Sequence, residues 1–268
     1  MPKIKVNDIN LYYEEYGQGE PIVFVAGFGG DRLSWSTIVK NCAKKHRVIF
    51  FDNRGAGQSD VPDYPYTVEM MADDTAALCK ALNVLQAHFI GNSMGGFIIQ
   101  ELAYKYPQLT KSVVISNSVV KYSNFGFKLF LEGQLELIET AAPVSAQVKI
   151  GLGWCFSDNF LHQSGIVELL IKYQSENKYP MTAIGFKNQM HACTTFDASS
   201  WAHKITRPCL VIGGDNDKIF SEKKIREVSE IIPHAEYFCF EGDVGHVPYL
   251  EKPELFSKVI LDFIAKNS

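Results

Sequence analysis

Apolar and polar residues follow one another in a repeating order of short apolar runs and longer amphipathic segments. The runs at residues 22–25 and 48–51 contain no polar residue, which predicts strands that are buried on both faces. Residues 67–82 place apolar side chains at helical spacing behind Thr67, a favourable N-cap residue, and predict an amphipathic helix.

The same order continues through the first 118 residues. Residues 3–16, with a turn at Asn7-Asp8, predict a β-hairpin. The other elements expected here are helices at residues 34–44 and 94–106 and strands at residues 87–90 and 113–115. Buried strands that alternate with helices predict an α/β fold, with a mostly parallel sheet covered on both faces.

Between residues 119 and 205 the strand signals disappear and helical signals dominate. The helices expected in this stretch lie at residues Phe125–Glu139, 145–156, 166–176 and 181–193. Strands at 209–212 and 237–240 and helices at 221–231 and 253–265 then restore the earlier order. This return favours an insertion into one sheet over an independent helical domain. We therefore expect an α/β core of residues 1–118 and 206–268, with residues 119–205 as a helical cap over the edge where such sheets bind ligands.

The pentapeptide Gly91-Asn92-Ser93-Met94-Gly95 lies between a predicted strand and a predicted helix. A G-x-S-x-G pattern in that context is typical of a nucleophile elbow, a sharp turn that exposes a serine at the edge of a sheet. The pattern alone is loose, but its register with both flanking elements favours chemistry over chance. Ser93 is the candidate nucleophile.

A serine hydroxyl needs a neighbouring base, because it holds its proton at neutral pH. His246 follows the predicted strand 237–240 and is preceded by a glycine, so it lies on the same sheet edge as Ser93. The remaining histidines lie where a structural or surface role, or at most a substrate contact, is expected: His46, His88, His162, His191, His203 and His234. His246 is the candidate base.

The base needs an orienting acid, which falls between the serine and the histidine in the chain where a nucleophile elbow carries the serine. Asp215 and Asp217 both follow the predicted strand 209–212. Asp217 is favoured, because an aspartate in the position of Asp215 often binds the amides of a turn. Asp243 is a weaker third candidate.

A tetrahedral intermediate needs hydrogen-bond donors for its oxyanion. The N–H of Met94, directly after the serine, is one candidate. The second is the N–H of Phe28, in the glycine-rich loop of residues 26–30. The sequence contains no G-x-G-x-x-G fingerprint, no Walker lysine and no H-E-x-x-H motif, so we expect no nucleotide cofactor and no metal.

Composition narrows the classes of partner. With 268 residues, 46% of them hydrophobic and 21% charged, the chain can bury a core without disulfides or metals. A net charge of −4 without blocks of like charge gives no reason to expect nucleic acid or a membrane as partner. The six cysteines form no C-x-x-C pair, and buried, reduced thiols are expected. Without a signal-like segment or an apolar run of about 20 residues, a cytoplasmic protein is expected.

These motifs together resemble the capped α/β-hydrolase superfamily over nearly all residues outside the cap. Residues 51–60 (Phe-Asp-Asn-Arg-Gly-Ala-Gly-Gln-Ser-Asp) are similar to a strand-end segment of that family, and residues 214–217 to its acid loop. Gly245-His246 and the following Glu251-Lys252-Pro253 resemble its histidine loop and last helix. A serine at position 93 distinguishes the chain from the epoxide hydrolases and haloalkane dehalogenases, which carry aspartate there.

One departure concerns the loop expected to hold the oxyanion. In the family this loop commonly begins with His-Gly, whereas this chain has Ala26-Gly27. The proposed donor is a backbone amide, so the chemistry can survive the change. The side chain that usually supports the loop is missing.

The resemblance is greatest to small serine esterases and lactonases, including the 3-oxoadipate enol-lactonase and pimeloyl-carrier-protein methyl esterase types. It implies a cofactor-free hydrolase that cleaves a carboxylic ester or lactone of a small, largely apolar acyl substrate through an acyl-enzyme. Ser93, Asp217 and His246 would form the triad, and the Phe28 and Met94 amides the oxyanion hole.

Several large side chains of the cap are candidates for the substrate pocket: Phe127, Trp154, Phe156 and Met190. Packing of the cap onto the sheet is an equally favoured role for each. Residues 118–206 contain seven lysines and seven acidic residues, so no basic excess favours a carrier-protein substrate.

Alternative functions on the same fold stay open. Asn92 before the nucleophile resembles the carbon–carbon bond hydrolases of aromatic breakdown. A carrier-protein methyl esterase is a second alternative. A ligand receptor or stress-signalling protein that keeps the triad is a third, and turnover of an ester panel would separate it from an enzyme.

Overall fold

One mixed sheet organises the protein. In the computed structural model, which describes residues 3–268, it has eight strands in the order β1-β2-β4-β3-β5-β6-β7-β8. The strands are β1 (Lys3–Val6), β2 (Ile9–Tyr16), β3 (Glu20–Val25), β4 (His46–Phe51), β5 (Ala87–Asn92), β6 (Thr110–Ser116), β7 (Cys209–Gly214) and β8 (Glu236–Phe240). The pairs β1–β2 and β2–β4 are antiparallel and all other pairs are parallel. The predicted α/β fold with a mostly parallel sheet is thus confirmed.

Helices lie on both sides of this sheet. They are α1 (Ser36–Cys42), α2 (Val68–Ala81), α3 (Met94–Lys105), α4 (Phe125–Glu139), α5 (Val144–Cys155), α6 (Asp158–Leu161), α7 (Ile166–Ser175), α8 (Ala183–Thr194), α9 (Glu222–Ile231), α10 (Pro248–Glu251) and α11 (Pro253–Lys266). Short 3-10 turns occur at Arg32–Trp35 and Ala202–Lys204. The sequence did not predict α6 and α10, because a four-residue helix has no apolar periodicity to detect.

The uninterrupted apolar runs are explained by burial on both faces. Val23 and Val25 of β3 pack with residues of α2 and α3, whereas Ile22 and Phe24 pack with residues of α1 and α11. All of these strand side chains are fully buried. Successive side chains of a strand point to opposite faces, so a strand between two helical layers must be apolar at every position.

The helices α4 to α8 connect β6 to β7, two strands that are neighbours in the sheet. We call this helical stretch between the two strands the insertion. The expected helices correspond to α4, α5, α7 and α8, with ends that differ by at most two residues. The insertion is bonded to the core: the Asn188 side chain donates to the Pro62 carbonyl at 3.3 Å.

The cysteines are unpaired, as the sequence predicts, and all six are buried or half-buried. Burial raises the pKa of Cys42, Cys79 and Cys155 to about 12, so these thiols stay protonated at neutral pH. In the part of the chain from residue 3 onward, no helix combines the length and the apolar character needed to cross a membrane.

A buried histidine lies at the amino end of β5. The His88 Nδ1 atom lies 2.7 Å from Ser112 Oγ, and its Nε2 atom lies 3.2 Å from Glu20 Oε2. Burial lowers the pKa of His88, assisted by the charges of Lys111 and His46 and opposed by Glu20. The fold therefore favours the neutral imidazole.

We expect the free energy of unfolding to fall as the pH is lowered from about 7.5 to about 5, because the unfolded chain takes up a proton at His88 more readily than the folded chain. The stability that the neutral His88 contributes is complete above the pKa of the unfolded chain. It is lost as the pH falls from that pKa towards the lower pKa of the folded chain. Glu20, whose pKa is lowered to about 2, stays ionised throughout. Urea unfolding of the wild type and His88→Gln at both pH values tests this. The variant should lose less stability, and equal losses would contradict the assignment.

Candidate active site

The sharp turn predicted at Ser93 is present between β5 and α3. Ser93 has φ 56° and ψ −119°, a conformation that costs a non-glycine residue about 1–3 kcal/mol. A Cβ on Gly91 would collide with the backbone of Gly95, and one on Gly95 would collide with the carbonyl of Val25. Close approach of α3 to the neighbouring strand thus requires glycine at both positions, which confirms the predicted elbow geometry.

An aspartate and a histidine meet at the same edge of the sheet. Asp217 Oδ2 lies 2.8 Å from His246 Nδ1, and both side chains are almost completely buried. The other carboxylate oxygen accepts hydrogen bonds from the N–H groups of Ile219 and Phe220 at 2.8 and 3.0 Å. These bonds fix the carboxylate, and the carboxylate in turn fixes the imidazole ring.

The other two candidate acids have different partners. Asp215 accepts hydrogen bonds from the consecutive N–H groups of residues 242–244 at 2.8, 3.2 and 2.8 Å. Asp215 therefore binds turn amides, as its position in the sequence predicts. Asp243 accepts from the Asn159 N–H and the Asn216 side chain. Of the three aspartates, Asp217 contacts His246.

Asn117, which the sequence analysis did not single out, connects the parts of the site. It is fully buried, and its Nδ2 donates to Asp217 Oδ2 at 2.9 Å and to the Gly245 carbonyl at 3.2 Å. Its neighbours in residues 116–118 hold Ser93, through a bond from the Ser93 N–H and a bond to the Ser93 carbonyl, both 2.9 Å. The polar run Ser-Asn-Ser directly after predicted strand 113–115 is the signal that could have revealed it.

The second ring nitrogen of the histidine has no bond in this conformation. His246 Nε2 is buried and has no hydrogen-bond partner within residues 3–268, so Ser93 Oγ does not donate to it here. Hydrogen bonds between a nucleophile and its base are often long or poorly aligned in a free enzyme and tighten in the complex with substrate. Ring contacts also join the histidine to the elbow helix, since Phe220 lies 5.8 Å from His246 and 6.0 Å from Phe97 of α3.

The loop of residues 26–30 lies beside the nucleophile. A Cβ built on Gly27 would lie 3.3 Å from Ser93 Cβ, and the Gly30 N–H closes a turn onto the Gly27 carbonyl at 3.1 Å. Across the residues that the structure describes, neither the Phe28 N–H nor the Met94 N–H has a protein acceptor. Two free backbone donors near a serine can hold an oxyanion.

The candidate substrate residues of the insertion occupy two clusters. Phe127 and Trp154 contact each other at 5.3 Å and pack beside one half of the core, whereas Phe156 stacks on Phe160 at 5.0 Å beside the other half. Met190 is half-buried on α8. These contacts show that the side chains pack within the protein. The expectation that they contact substrate stays a prediction.

Two residues of the insertion that the sequence analysis did not single out contact the loop beside Ser93. The Phe186 ring lies 4.7 Å from the Phe28 ring in an edge-to-face arrangement. A Cβ on Gly29 would lie 3.6 Å from the Met181 sulfur. The insertion therefore forms part of the wall around the site.

Comparison with known proteins agrees with this architecture. The family model for the α/β-hydrolase fold matches residues 20–253, and the chain therefore belongs to the α/β-hydrolase fold family. It is similar to a Mycobacterium tuberculosis protein provisionally named non-heme bromoperoxidase BpoC, with 30% identity over 96% of this chain and 98% of that protein. It is also similar to 3-oxoadipate enol-lactonase 2 of Acinetobacter baylyi, with 26% identity over 96% of this chain and 94% of the relative.

A solved structure shows the same fold. The enol-lactonase from Burkholderia xenovorans LB400 superposes with a TM-score of 0.88 at 24% identity, covering 98% of this chain and all (100%) of that chain. The predicted resemblance to α/β-hydrolases of the enol-lactonase type is thus confirmed.

Proposed function

We propose that the protein is a serine hydrolase that cleaves a carboxylic ester or lactone of a small, largely apolar acyl substrate. The observation that carries this proposal is the buried Asp217–His246 contact at the sheet edge where the strained turn presents Ser93. Relatives that include an enol-lactonase and a pyrrolizixenacetamide deacetylase, 26% identical in both cases, support acyl transfer to water.

In the proposed mechanism, Ser93 Oγ attacks the substrate carbonyl while His246 Nε2 takes its proton. Asp217 keeps the other proton on Nδ1 and stabilises the imidazolium that forms. The Phe28 and Met94 N–H groups bind the oxyanion. His246 then returns the proton to the leaving oxygen. In the second half of the reaction His246 takes a proton from water, whose oxygen attacks the acyl group, and returns that proton to Ser93 Oγ as the acid leaves.

We propose that residues 119–205 act as a cap on a core of residues 1–118 and 206–268. Two contacts support this division: the Cys155 carbonyl at the end of α5 accepts from the His246 N–H at 2.9 Å, and Met181 lies against the loop at Gly29. A cap in these positions excludes water from the acyl-enzyme and shapes the acyl pocket, for which Phe127, Trp154 and Met190 remain the candidate residues.

Labelling with a fluorophosphonate tests the proposal. We expect one modification, mapped by mass spectrometry to Ser93, and none in heat-denatured protein, because the folded site activates this hydroxyl. Modification at another serine would refute the mechanism.

A panel of p-nitrophenyl esters of increasing acyl length, lactones, thioesters and carbon–carbon substrates then defines the bond that is cleaved. The proposal predicts turnover of esters or lactones. If Ser93 is labelled and none of these compounds turns over, the receptor alternative is favoured and the proposed function is wrong.

A further inference from the structure

The loop of residues 26–30 is held by side-chain amides. Asn53 Nδ2 donates to the Ala26 carbonyl at 3.0 Å, and this bond is buried. Gln189, from α8 in the insertion, accepts from the Gly29 N–H at 3.0 Å. One amide therefore fixes each end of the loop.

Gln189 is a bridge between two backbone segments. Its Oε1 accepts from Gly29, and its Nε2 donates to the Arg54 carbonyl at 2.8 Å. The Gln189 side chain is completely buried, and so is its bond to the Arg54 carbonyl, which forms without competition from water, whereas its bond to the exposed Gly29 is partly buried. Losing this side chain would leave the Gly29 N–H and the Arg54 carbonyl without these bonds.

The Arg54 end of the bridge is rigid. The Arg54 guanidinium is buried and forms a two-pronged pair with Asp74, with Nε and Nη2 lying 2.6 and 2.9 Å from the two carboxylate oxygens. Gln189 therefore connects the loop to a residue that is held firmly in the core, and not to a mobile surface group.

The Gly29 end of the bridge acts directly beside the proposed oxyanion donor. Gly29 has φ 68° and follows Phe28, whose N–H is one of the two free donors. The bond to Gln189 on one side and the turn from Gly30 to Gly27 on the other leave the Phe28 peptide little freedom. An oxyanion donor is effective only when its position is set before the reaction.

We propose that Gln189 is a positioning residue of the oxyanion hole, through which the insertion sets the Phe28 N–H. The inference rests on the proposed hydrolase function and deepens it: the insertion orders the catalytic loop as well as shaping the pocket. Because the amide belongs to α8, displacement of that helix would also disorder the oxyanion hole.

Gln189→Met tests this, because methionine has a similar length and shape but makes neither hydrogen bond. Asn188→Leu is the matched control: Asn188 is buried next to it on α8 and bonds the Pro62 carbonyl, away from the loop. We expect kcat and kcat/KM of Gln189→Met to fall equally, by about 10–100-fold, because misplacing a reacting group by about 1 Å can cost about 10²-fold. The control should lose far less.

Amide hydrogen exchange gives a second measurement that needs no substrate. The Gly30 N–H, which bonds the Gly27 carbonyl, should exchange faster in Gln189→Met than in Asn188→Leu. Gln189→Leu serves as a second variant if the methionine protein does not fold.

The outcomes separate the two proposals. Equal kcat and equal Gly30 exchange in the Gln189 variants and the control would overturn the positioning role while leaving the hydrolase function in place. Faster Gly30 exchange in a protein that cleaves neither esters nor lactones would refute the function and retain the loop contact. A raised KM with unchanged kcat would overturn the role in the oxyanion hole, because it indicates loss of uniform binding.

Discussion

Ser93→Ala is expected to lower kcat/KM for the best ester of the panel by about 10⁴-fold or more. The substitution removes only the Oγ atom. The backbone bonds of residue 93 to the Ser116 carbonyl and from the Ser118 hydroxyl, both 2.9 Å, remain. Alanine also accepts the φ of 56° no worse than serine, so the elbow should persist.

Steady-state kinetics with circular dichroism and thermal unfolding would check this result. Ser118→Ala is the matched control, since it loses a hydroxyl that bonds the Ser93 carbonyl but keeps the nucleophile. We expect the control to retain most of the activity. Activity of Ser93→Ala within about tenfold of the wild type would show that another group carries the reaction.

Asp217→Asn is expected to lower kcat by about 10⁴-fold, because it reverses the proton arrangement on the imidazole. The carboxylate accepts on both oxygens: from two backbone N–H groups on one and from the Asn117 amide and His246 Nδ1 on the other. Asparagine has one acceptor oxygen. If that oxygen faces the two N–H groups, the asparagine NH₂ donates to His246 Nδ1. The ring proton then resides on Nε2, and a protonated Nε2 cannot accept the proton of Ser93.

Asp215→Asn is the comparison that separates the two aspartates. Asp215 accepts hydrogen bonds from three consecutive amides of residues 242–244. Its substitution should therefore lower the unfolding temperature, while kcat should fall much less than in Asp217→Asn. Single-turnover kinetics and thermal unfolding of both variants would show the contrast. An effect of Asp215→Asn on kcat as large as that of Asp217→Asn would reassign the acid.

Much of the fold could be predicted from local pattern. The apolar runs at 22–25 and 48–51 became β3 and β4, and Thr67 caps α2 by accepting from the Met70 N–H at 3.1 Å. These elements are determined by residues close in the chain, since burial on both faces and a side-chain cap leave a local signature. The four-residue helices α6 and α10 left none.

The choice between Asp215 and Asp217 shows how much of the candidate site can be predicted from the sequence. In the sequence alone, turn chemistry favours Asp217, because an aspartate in the position of Asp215 is expected to bind amides, and in the structure Asp215 does so. Contact with His246 brings together residues 29 positions apart, through two loops that the parallel sheet places side by side. The sequence could name the pair, and the sheet order makes the contact possible.

By itself the sequence determined the α/β class, the inserted helices and the types of residue at the ends of β5, β7 and β8, because periodicity and turn chemistry act over a few neighbouring positions. Only the tertiary structure revealed the hydrogen bonds of Asn117 and Gln189. Each acts through a buried amide on groups at least 100 residues away in the chain, Asn117 on Asp217 and Gln189 on Gly29. A buried amide in a helix or after a strand leaves no periodic signal, and its partner is set by the packing of distant segments.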